Sequence, residues 1–289
     1  IHLIVEAMKL SFADRETYYG DPEAVSVPID ELLSEDYVKD RVKLLSHEAS
    51  LEQRPTQISG YETLITKMIE RASLLSETIN TPDAGEPTMA HLSEKRGDTV
   101  HIDTIDRWGN MVSVTPSGGW LQSSPVIPKL GFPLNSRAQM FWLDEGLNQS
   151  LAPGRRPRTT LSPTLARHTD GSSMVFGTPG GDQQDQWQLI MFLRHVHHKM
   201  NLQEAIDAPL FHTQHMNSSF FPRTAFNGQM IAESTFGKCT LNDLRNRGHT
   251  VNEVEEWTVG RLTAASRSST GILKAAATPR LMQAYAIGR

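Results

Sequence analysis

A change of pattern at Thr99 constrains this 289-residue chain more than any other feature of its sequence. Residues 76–98, SETINTPDAGEPTMAHLSEKRGD, hold two prolines, two glycines and few apolar side chains, which is typical of a linker. From Thr99 onward apolar and polar residues alternate, break at Trp108-Gly109-Asn110, and alternate again up to Val114. The sequence therefore predicts a mobile linker that ends where a β-hairpin begins.

The part before the linker is predicted to be mostly helical. Apolar residues in the first fifteen positions fall at near-helical spacing, and Ser34 is a candidate N-cap for a helix over SEDYVKDRVKLL. Another helix is expected over YETLITKMIERASLL, which ends at Leu75. Because the chain opens on Ile1, without Met and inside an amphipathic pattern, we expect it to be the C-terminal part of a longer protein.

After the first hairpin the pattern predicts a mixture of strands and helices. A second hairpin is expected in TTLSPTLARHTDGSSMVFGT, with Asp170-Gly171 at its turn. The following GTPGGDQQDQWQLIMFLRHV reads as a strand, a Pro-Gly-Gly turn and a long helix with Trp187, Ile190 and Met191 in the core. Further short helices and strands complete an α+β fold.

Composition excludes several classes of function. A net charge of −5 argues against nucleic acid as a partner, and no apolar run approaches the roughly 18 residues that span a membrane. The single Cys239 excludes an internal disulfide and a cysteine-rich metal site. The spacing of His195, His197 and His198 suits no helical metal site. We therefore expect no metal and no cofactor; the compartment stays open, with a cytoplasmic location as the working expectation.

Two short segments are candidates for binding anions. Gly180-Gly181 opens the predicted long helix, where unpaired backbone N–H groups suit a phosphate or the oxyanion of an attacked carbonyl; the alternative is a tight turn that needs positive φ. No GxGxxG or GK[ST] pattern supports nucleotide binding. Arg137 and the Arg155, Arg156 and Arg158 cluster suit a substrate carboxylate, or else are solvated surface.

Six blocks, taken together and in order, resemble the γ-glutamyltranspeptidase family of N-terminal nucleophile hydrolases. They are VEAMKLSFADRETYYGDP, DTVHIDTIDRWGNMVSVT, RTTLSPT, GTPGGD, EAIDAPLFHTQ and AATPR. The first resembles the end of the family's large subunit and the second the start of its small subunit. The resemblance implies a four-layer αββα sandwich. Residues 1–98 would be the C-terminal part of the large subunit, whose N-terminal part this chain lacks. Residues 99–289 would be the small catalytic subunit.

The resemblance also implies the catalytic residues. The precursor would cut itself between Asp98 and Thr99, which frees a threonine whose amine acts as base for its own hydroxyl. Ser117 stands where the family places a hydroxyl that hydrogen-bonds the nucleophile. Gly180 and Gly181 stand where backbone N–H groups stabilise the oxyanion.

Substrate recognition is where this sequence departs from the family pattern. The Thr159-Thr160 pair stands where the family usually has two serines facing the substrate carboxylate. Gly119 replaces the asparagine, and Arg137, Gln139 and Met140 stand where an amide and carboxylates hold the γ-glutamyl group. Losing an anionic partner for the substrate amine weakens γ-glutamyl recognition. Arg137 instead suits an acyl group that ends in a carboxylate, as in oxamate or glutaryl amides.

The leading hypothesis is an autoprocessing N-terminal-threonine amidohydrolase that acts on a small carboxylated amide. The alternatives are a true γ-glutamyl hydrolase or transferase, and an unprocessed binding protein without activity. The partner is a small-molecule amide, and the two pieces of the cleaved precursor are expected to stay associated. A homo-oligomer, and the preference for water over an acceptor amine, stay open.

Overall fold

The computed structural model describes residues 1–78, 99–119, 124–220, 223–280 and 284–288. Asp98 and nearly all of the predicted linker lie outside the described residues. Only positions 76–78 of that linker are described, and they correct its boundary, because they end a helix that runs from Glu62 to Thr78. The first helix-breaking proline comes only at position 82, so the helical pattern continues past Leu75.

Seven α-helices lie in the described ranges: α1 (His2–Tyr18), α2 (Ile29–Leu32), α3 (Glu35–Val42), α4 (Glu62–Thr78), α5 (Gln184–Val196), α6 (Leu202–Asp207) and α7 (Gly237–Asn246). The predicted cap of α3 is confirmed, since Tyr37 N donates to Ser34 Oγ over 3.1 Å. Helix α1 buries Met8 and Phe12 as expected, but Leu3 is 61% exposed. Within the described ranges, no helix combines the length and apolarity needed to cross a bilayer.

Eleven strands are described: β1 (Ile102–Ile105), β2 (Met111–Val114), β3 (Val126–Ile127), β4 (Phe132–Pro133), β5 (Thr164–Arg167), β6 (Ser173–Gly177), β7 (Phe211–Thr213), β8 (Gln229–Glu233), β9 (Thr250–Val254), β10 (Thr263–Arg267) and β11 (Leu273–Ala277). The largest sheet has the antiparallel order β11-β10-β6-β5. A second has the order β7-β8-β9, in which β8 and β9 are parallel. Strands β3 and β4 form a short separate hairpin.

Both predicted hairpins are confirmed. Strands β1 and β2 pair with Ile105 opposite Met111 around the Trp108–Asn110 turn, in which Gly109 has a φ of +91°. Strands β5 and β6 pair with Arg167 opposite Ser173, around the Asp170-Gly171 turn. The alternating pattern and the turn residues predicted both turns, but β1 and β5 begin at Ile102 and Thr164, later than the predicted spans.

The large sheet lies between the first hairpin and helix α5. On one face, Asp103 of β1 accepts a 2.7 Å hydrogen bond from Thr263 of β10. On the other face, Trp187, Ile190 and Met191 of α5 are buried with Phe176 of β6, which confirms the predicted core positions. This arrangement brings the segment that begins at Thr99 beside the loop that follows β6.

Candidate active site

A small cleft opens between the Thr99 segment and the loop that follows β6. It is lined by Thr99, Ser117, Gly119, Arg137, Thr160, Pro179, Gly180, Gly181, Phe220 and Arg261. The first five, together with the two glycines, were predicted as site residues from the sequence. Segments separated by up to about 160 positions therefore meet around one small volume.

Ser117 connects the hydroxyl of Thr99 to a guanidinium group. Thr99 Oγ1 and Ser117 Oγ lie 2.8 Å apart. Arg137 Nη2 donates to the same Ser117 oxygen over 2.9 Å, and the backbone N–H of Gly119 donates to it over 3.1 Å. A hydrogen bond from a charged donor is stronger than a neutral one. The arrangement therefore holds a cation one hydroxyl group away from the Thr99 oxygen.

Gly119 takes a conformation that explains the missing asparagine side chain. Its φ is +87°, a region that L side chains rarely adopt. A Cβ at this position would lie 2.3 Å from Ser136 Oγ. Ser136 N also donates to Gly118 O over 2.9 Å. The space that an amide side chain at position 119 would need is therefore filled by Ser136.

The Gly180-Gly181 turn adopts a backbone conformation that requires glycine. Their φ values are +140° and +58°, and a Cβ on Gly180 would lie 2.4 Å from Trp187 Cζ3. The turn leads into a 3₁₀ turn (Gly181–Gln183) and then into α5. In the described part of the chain, neither glycine N–H has a hydrogen-bond acceptor. The turn therefore has the positive φ that one alternative predicted, whereas the binding of an oxyanion by these N–H groups stays a prediction.

Asp182 anchors the residue that follows this turn. Its carboxylate accepts from Ser219 N over 2.8 Å, from the Ser219 hydroxyl, and from Arg15 Nη2 over 2.9 Å. Burial alone would raise the pKa of Asp182, but the Arg15 and Arg158 guanidinium groups outweigh it and hold the pKa below its ordinary value. This ionised anchor places neighbouring Phe220 on the wall of the cleft.

The two threonines of the predicted pair face different environments. Thr160 lines the cleft and is 4% exposed, and its Oγ1 has no hydrogen-bond partner among the described residues. Thr159 is exposed, and its hydroxyl accepts from Leu161 N over 3.1 Å. Gln139 also lies outside the lining, and its side chain donates to Ser136 Oγ over 3.4 Å. A buried hydroxyl without a partner is expected to bind a ligand or a water molecule.

Pro179, Phe220 and Arg261 line the cleft but were not predicted from the sequence. Thr263 pairs with Gly177 across β10 and β6, so extending this register places Arg261 opposite Pro179. A single arginine before a strand carries no sequence signal of its own. Predicting Arg261 as a lining residue would have required knowing that β10 pairs with β6.

Two arginines of the predicted cluster, Arg156 and Arg158, bind carboxylates of this chain. Arg156 Nη2 donates to Asp21 Oδ1 over 2.7 Å, and these hydrogen bonds lower the pKa of Asp21 to about 2. Arg158 is buried and donates to Glu16 Oε1 over 2.7 Å. Neither the substrate interpretation nor the solvated-surface interpretation describes Arg158, which ties the segment before β5 to α1.

One buried group has the composition of a metal site. Ligand atoms of His2, Glu6 and His249 lie within 4.8 Å of one another. However, both oxygens of Glu6 already contact cations, at 2.6 Å from Lys9 and 3.1 Å from Arg54. The two imidazoles are hydrogen-bonded over 2.8 Å. A divalent ion would face two positive charges here, so the group serves better as a tie between α1 and the segment before β9.

Curated proteins of bacteria are similar to this chain over most of its length. A glutathione hydrolase proenzyme of Bacillus subtilis is 30% identical over 217 residues, which cover 75% of this chain and 34% of the relative. An oxamate amidohydrolase proenzyme of Klebsiella pneumoniae is 29% identical over 285 residues, covering 97% of this chain and 46% of the relative. The chain thus spans between a third and a half of the length of these relatives.

Solved structures are also similar to this chain. The structure of LmbA2991HD superposes with a TM-score of 0.82 and 47% identity, covering all of this chain and 48% of that one. A cephalosporin acylase from Bacillus halodurans has a TM-score of 0.66 and 26% identity, over 96% of this chain and 43% of that chain. The γ-glutamyltranspeptidase family profile matches residues 1–288. The chain therefore belongs to the γ-glutamyltranspeptidase family.

Proposed function

We propose that this chain carries the catalytic half of an autoprocessing N-terminal-threonine amidohydrolase that acts on a small carboxylated amide. The observation that carries the proposal is the 2.8 Å contact between the Thr99 and Ser117 hydroxyls in a cleft that also contains Arg137 and Arg261. A nucleophile, free backbone donors and a carboxylate-binding cation are the parts that acyl transfer from such an amide requires.

The proposed reaction begins after cleavage between Asp98 and Thr99. The new amine of Thr99 accepts the proton of the Thr99 hydroxyl, and the oxygen attacks the amide carbonyl. The N–H groups of Gly180 and Gly181 stabilise the resulting oxyanion, by about 3 kcal/mol for each donor that is well placed. The C–N bond breaks and the leaving amine takes the proton. Water then attacks the acyl ester, releases the carboxylic acid and restores the Thr99 hydroxyl.

The charges around the cleft favour an acyl group that carries a carboxylate. Two arginines line it, and no acidic side chain is among its described lining residues. The unpaired Thr160 hydroxyl provides a further donor for such a carboxylate. Met140, which stands where the family binds the substrate amine, is fully buried against Phe220. Oxamate-like and glutaryl amides therefore suit this site better than γ-glutamyl amides, whose ammonium group would meet two arginines and no carboxylate among the described lining residues.

The alternative function is γ-glutamyl hydrolysis or transfer. The relatives named as glutathione hydrolases favour it, since their identity to this chain is similar to that of the oxamate enzyme. In that case residues outside the described part of this chain would hold the substrate amine. The two functions predict opposite results with a γ-glutamyl anilide.

The proposed precursor forms two pieces that stay joined by buried polar contacts. Arg15 of α1 binds Asp182, and Glu16 binds Arg158, across the proposed cleavage point. For the fold we propose the complete four-layer sandwich. The outer face of the first hairpin is apolar yet 41–53% exposed, at Val100, Ile102, Val112 and Val114. A further helical layer over this face would bury it.

Intact-mass spectrometry of the full-length protein tests the nucleophile. The wild type should release a fragment that begins at Thr99, and Thr99→Ala should stay uncut. Thr99→Ser keeps a hydroxyl and serves as the matched control that should still be cleaved. An uncut wild-type chain would instead support the third hypothesis, a binding protein without activity.

A substrate panel then tests the acyl group. Release of ammonia from oxamate and glutaramate should be compared with turnover of a γ-glutamyl anilide and of a simple amide without a carboxylate. We expect activity on oxamate or glutaramate, and none on the γ-glutamyl anilide or on the simple amide. Rapid turnover of the γ-glutamyl anilide would contradict the proposal and favour the alternative.

A further inference from the structure

A buried polar network lies beneath the segment that carries Thr99. Alternate residues of a strand point to the same face, so His101 and Asp103 follow Thr99 toward the large sheet. Their side chains are only 1% and 2% exposed, and His101 Nε2 lies 2.9 Å from Asp103 Oδ1. His101 Nδ1 lies 2.7 Å from Thr115 Oγ1. The reaction proposed above uses neither of these two side chains.

Further hydrogen bonds hold both members of this pair. Asp103 Oδ1 accepts from the Ser113 hydroxyl over 2.8 Å, and Oδ2 accepts from the Thr263 hydroxyl over 2.7 Å. Each ring nitrogen of His101 also has a partner, Thr115 for Nδ1 and Asp103 for Nε2. The imidazole is thereby held in one orientation.

The imidazole also lies directly on the strand that leads to the oxyanion loop. A Cβ on Gly177 would come within 2.1 Å of His101 Cε1 and 2.4 Å of Nε2. Gly177 is the last residue of β6, three positions before Gly180. Any shift of the His101 ring therefore meets the backbone that positions the Gly180 N–H group.

The same network reaches two other segments that line the cleft. Thr115, which contacts His101, lies two positions before Ser117. Thr263, which contacts Asp103, lies two positions after Arg261. The nucleophile strand, the Ser117 segment and the Arg261 segment are thus connected through one pair of side chains.

We propose that His101 and Asp103 form a positioning pair that sets the distance between the Thr99 hydroxyl and the Gly180 N–H group. The pair touches no substrate and acts through Gly177 and Thr115. This inference rests on the proposed function, since it assumes that Thr99 is the nucleophile. A misplacement of about 1 Å in a catalytic site can reduce the rate by about 100-fold.

Asp103→Asn in the full-length protein tests the pair, because it keeps the size of the side chain but replaces an acceptor oxygen by a donor. We expect kcat on the carboxylated amide to fall at least tenfold while KM stays within threefold. The split follows because Arg137 and Thr160, which would hold the substrate, belong to other segments. Gly177→Ala, which displaces the ring from the opposite side, should lower kcat in the same way.

Asn110→Ala is the matched control at the far end of the same hairpin. Asn110 Nδ2 donates to Asp106 Oδ2 over 2.7 Å, so the variant also loses a hydrogen bond to a carboxylate in this hairpin. Its thermal midpoint should fall, and its kcat should stay within threefold of wild type. A purely structural tie would instead give Asp103→Asn and Asn110→Ala the same kinetic profile.

The outcomes separate this inference from the proposed function. An Asp103→Asn enzyme with wild-type kcat, or one that loses affinity rather than kcat, overturns the positioning role. If Asp103→Asn does not fold, the kcat of Gly177→Ala decides in its place. A wild-type protein that neither cleaves itself nor hydrolyses any amide of the panel refutes the proposed function, and the positioning role falls with it.

Discussion

Acidification from pH 7 to pH 5 is expected to destabilise this protein through buried histidines. Burial lowers the pKa of His249 to about 4, and His212 and His215 are buried more deeply still. His215 is 1% exposed, its Nδ1 accepts from Gly228 N over 3.0 Å, and its Nε2 lies 3.2 Å from Glu52 O. Protonation of Nδ1 would place its hydrogen against the Gly228 N–H. His212 is 2% exposed and packs edge-on against Trp187. Both rings are therefore held neutral by the fold.

The magnitude follows from the pKa values of the two rings. Burial lowers the pKa of His212 to about 3; for His215, burial and then the Lys9 charge lower it to about 4. In the unfolded chain both pKa values return to about 6.5, so below that pH the unfolded state binds protons that the folded state does not. Stability is thus complete above pH 6.5 and falls as the pH drops toward 4. Between pH 7 and pH 5 each ring removes about 2 kcal/mol, or about 4 kcal/mol together.

Urea unfolding of the full-length protein at pH 7, 6 and 5 measures this loss. His212→Phe removes one titrating ring and keeps an aromatic shape against Trp187, so the loss between pH 7 and pH 5 should shrink by about 2 kcal/mol. His198→Gln is the control, because that side chain is exposed and has a similar environment in the folded and the unfolded chain. A wild-type stability that changes by less than about 1 kcal/mol over this range would refute the reasoning.

Three further substitutions test the cleft and its support. Gly180→Ala places a methyl group about 2.4 Å from the Trp187 ring, so the Gly180 N–H group must move and kcat should fall at least about 100-fold. A loss below threefold would show that this N–H is not an oxyanion donor. Arg280→Met leaves the carboxylate of Glu233, which is 1% exposed, without its 3.0 Å partner, and urea unfolding should show a loss of about 3–5 kcal/mol. A loss under about 1 kcal/mol would contradict that expectation. Arg137→Lys removes the planar fork, and kcat/KM for carboxylated amides should fall about 10- to 100-fold; an unchanged ratio would exclude Arg137 from recognition.

The local sequence pattern was sufficient to predict several secondary-structure elements of this fold. Alternation and turn residues predicted the first hairpin, the Asp170-Gly171 hairpin and the Ser34 cap, because each depends on residues within a few positions of one another. The order of the six motif blocks along the chain was sufficient to identify the family, since six ordered blocks are more specific than any single motif. The long helix after Gly181 was also predicted with its core side chains, because a 3.6-residue period is a local property.

Only the tertiary structure decided which of these residues meet. Arg158 and Thr160 belong to one short polar stretch, yet one binds Glu16 in the interior and the other presents an unpaired hydroxyl to the cleft. Arg261 enters the cleft because β10 pairs with β6, and His101 contacts Gly177 because the hairpin lies on that sheet. Such contacts join positions far apart in the chain, and packing between whole elements determines them. The sequence by itself determined the local elements and the family, whereas their packing decided the charge and geometry of the cleft.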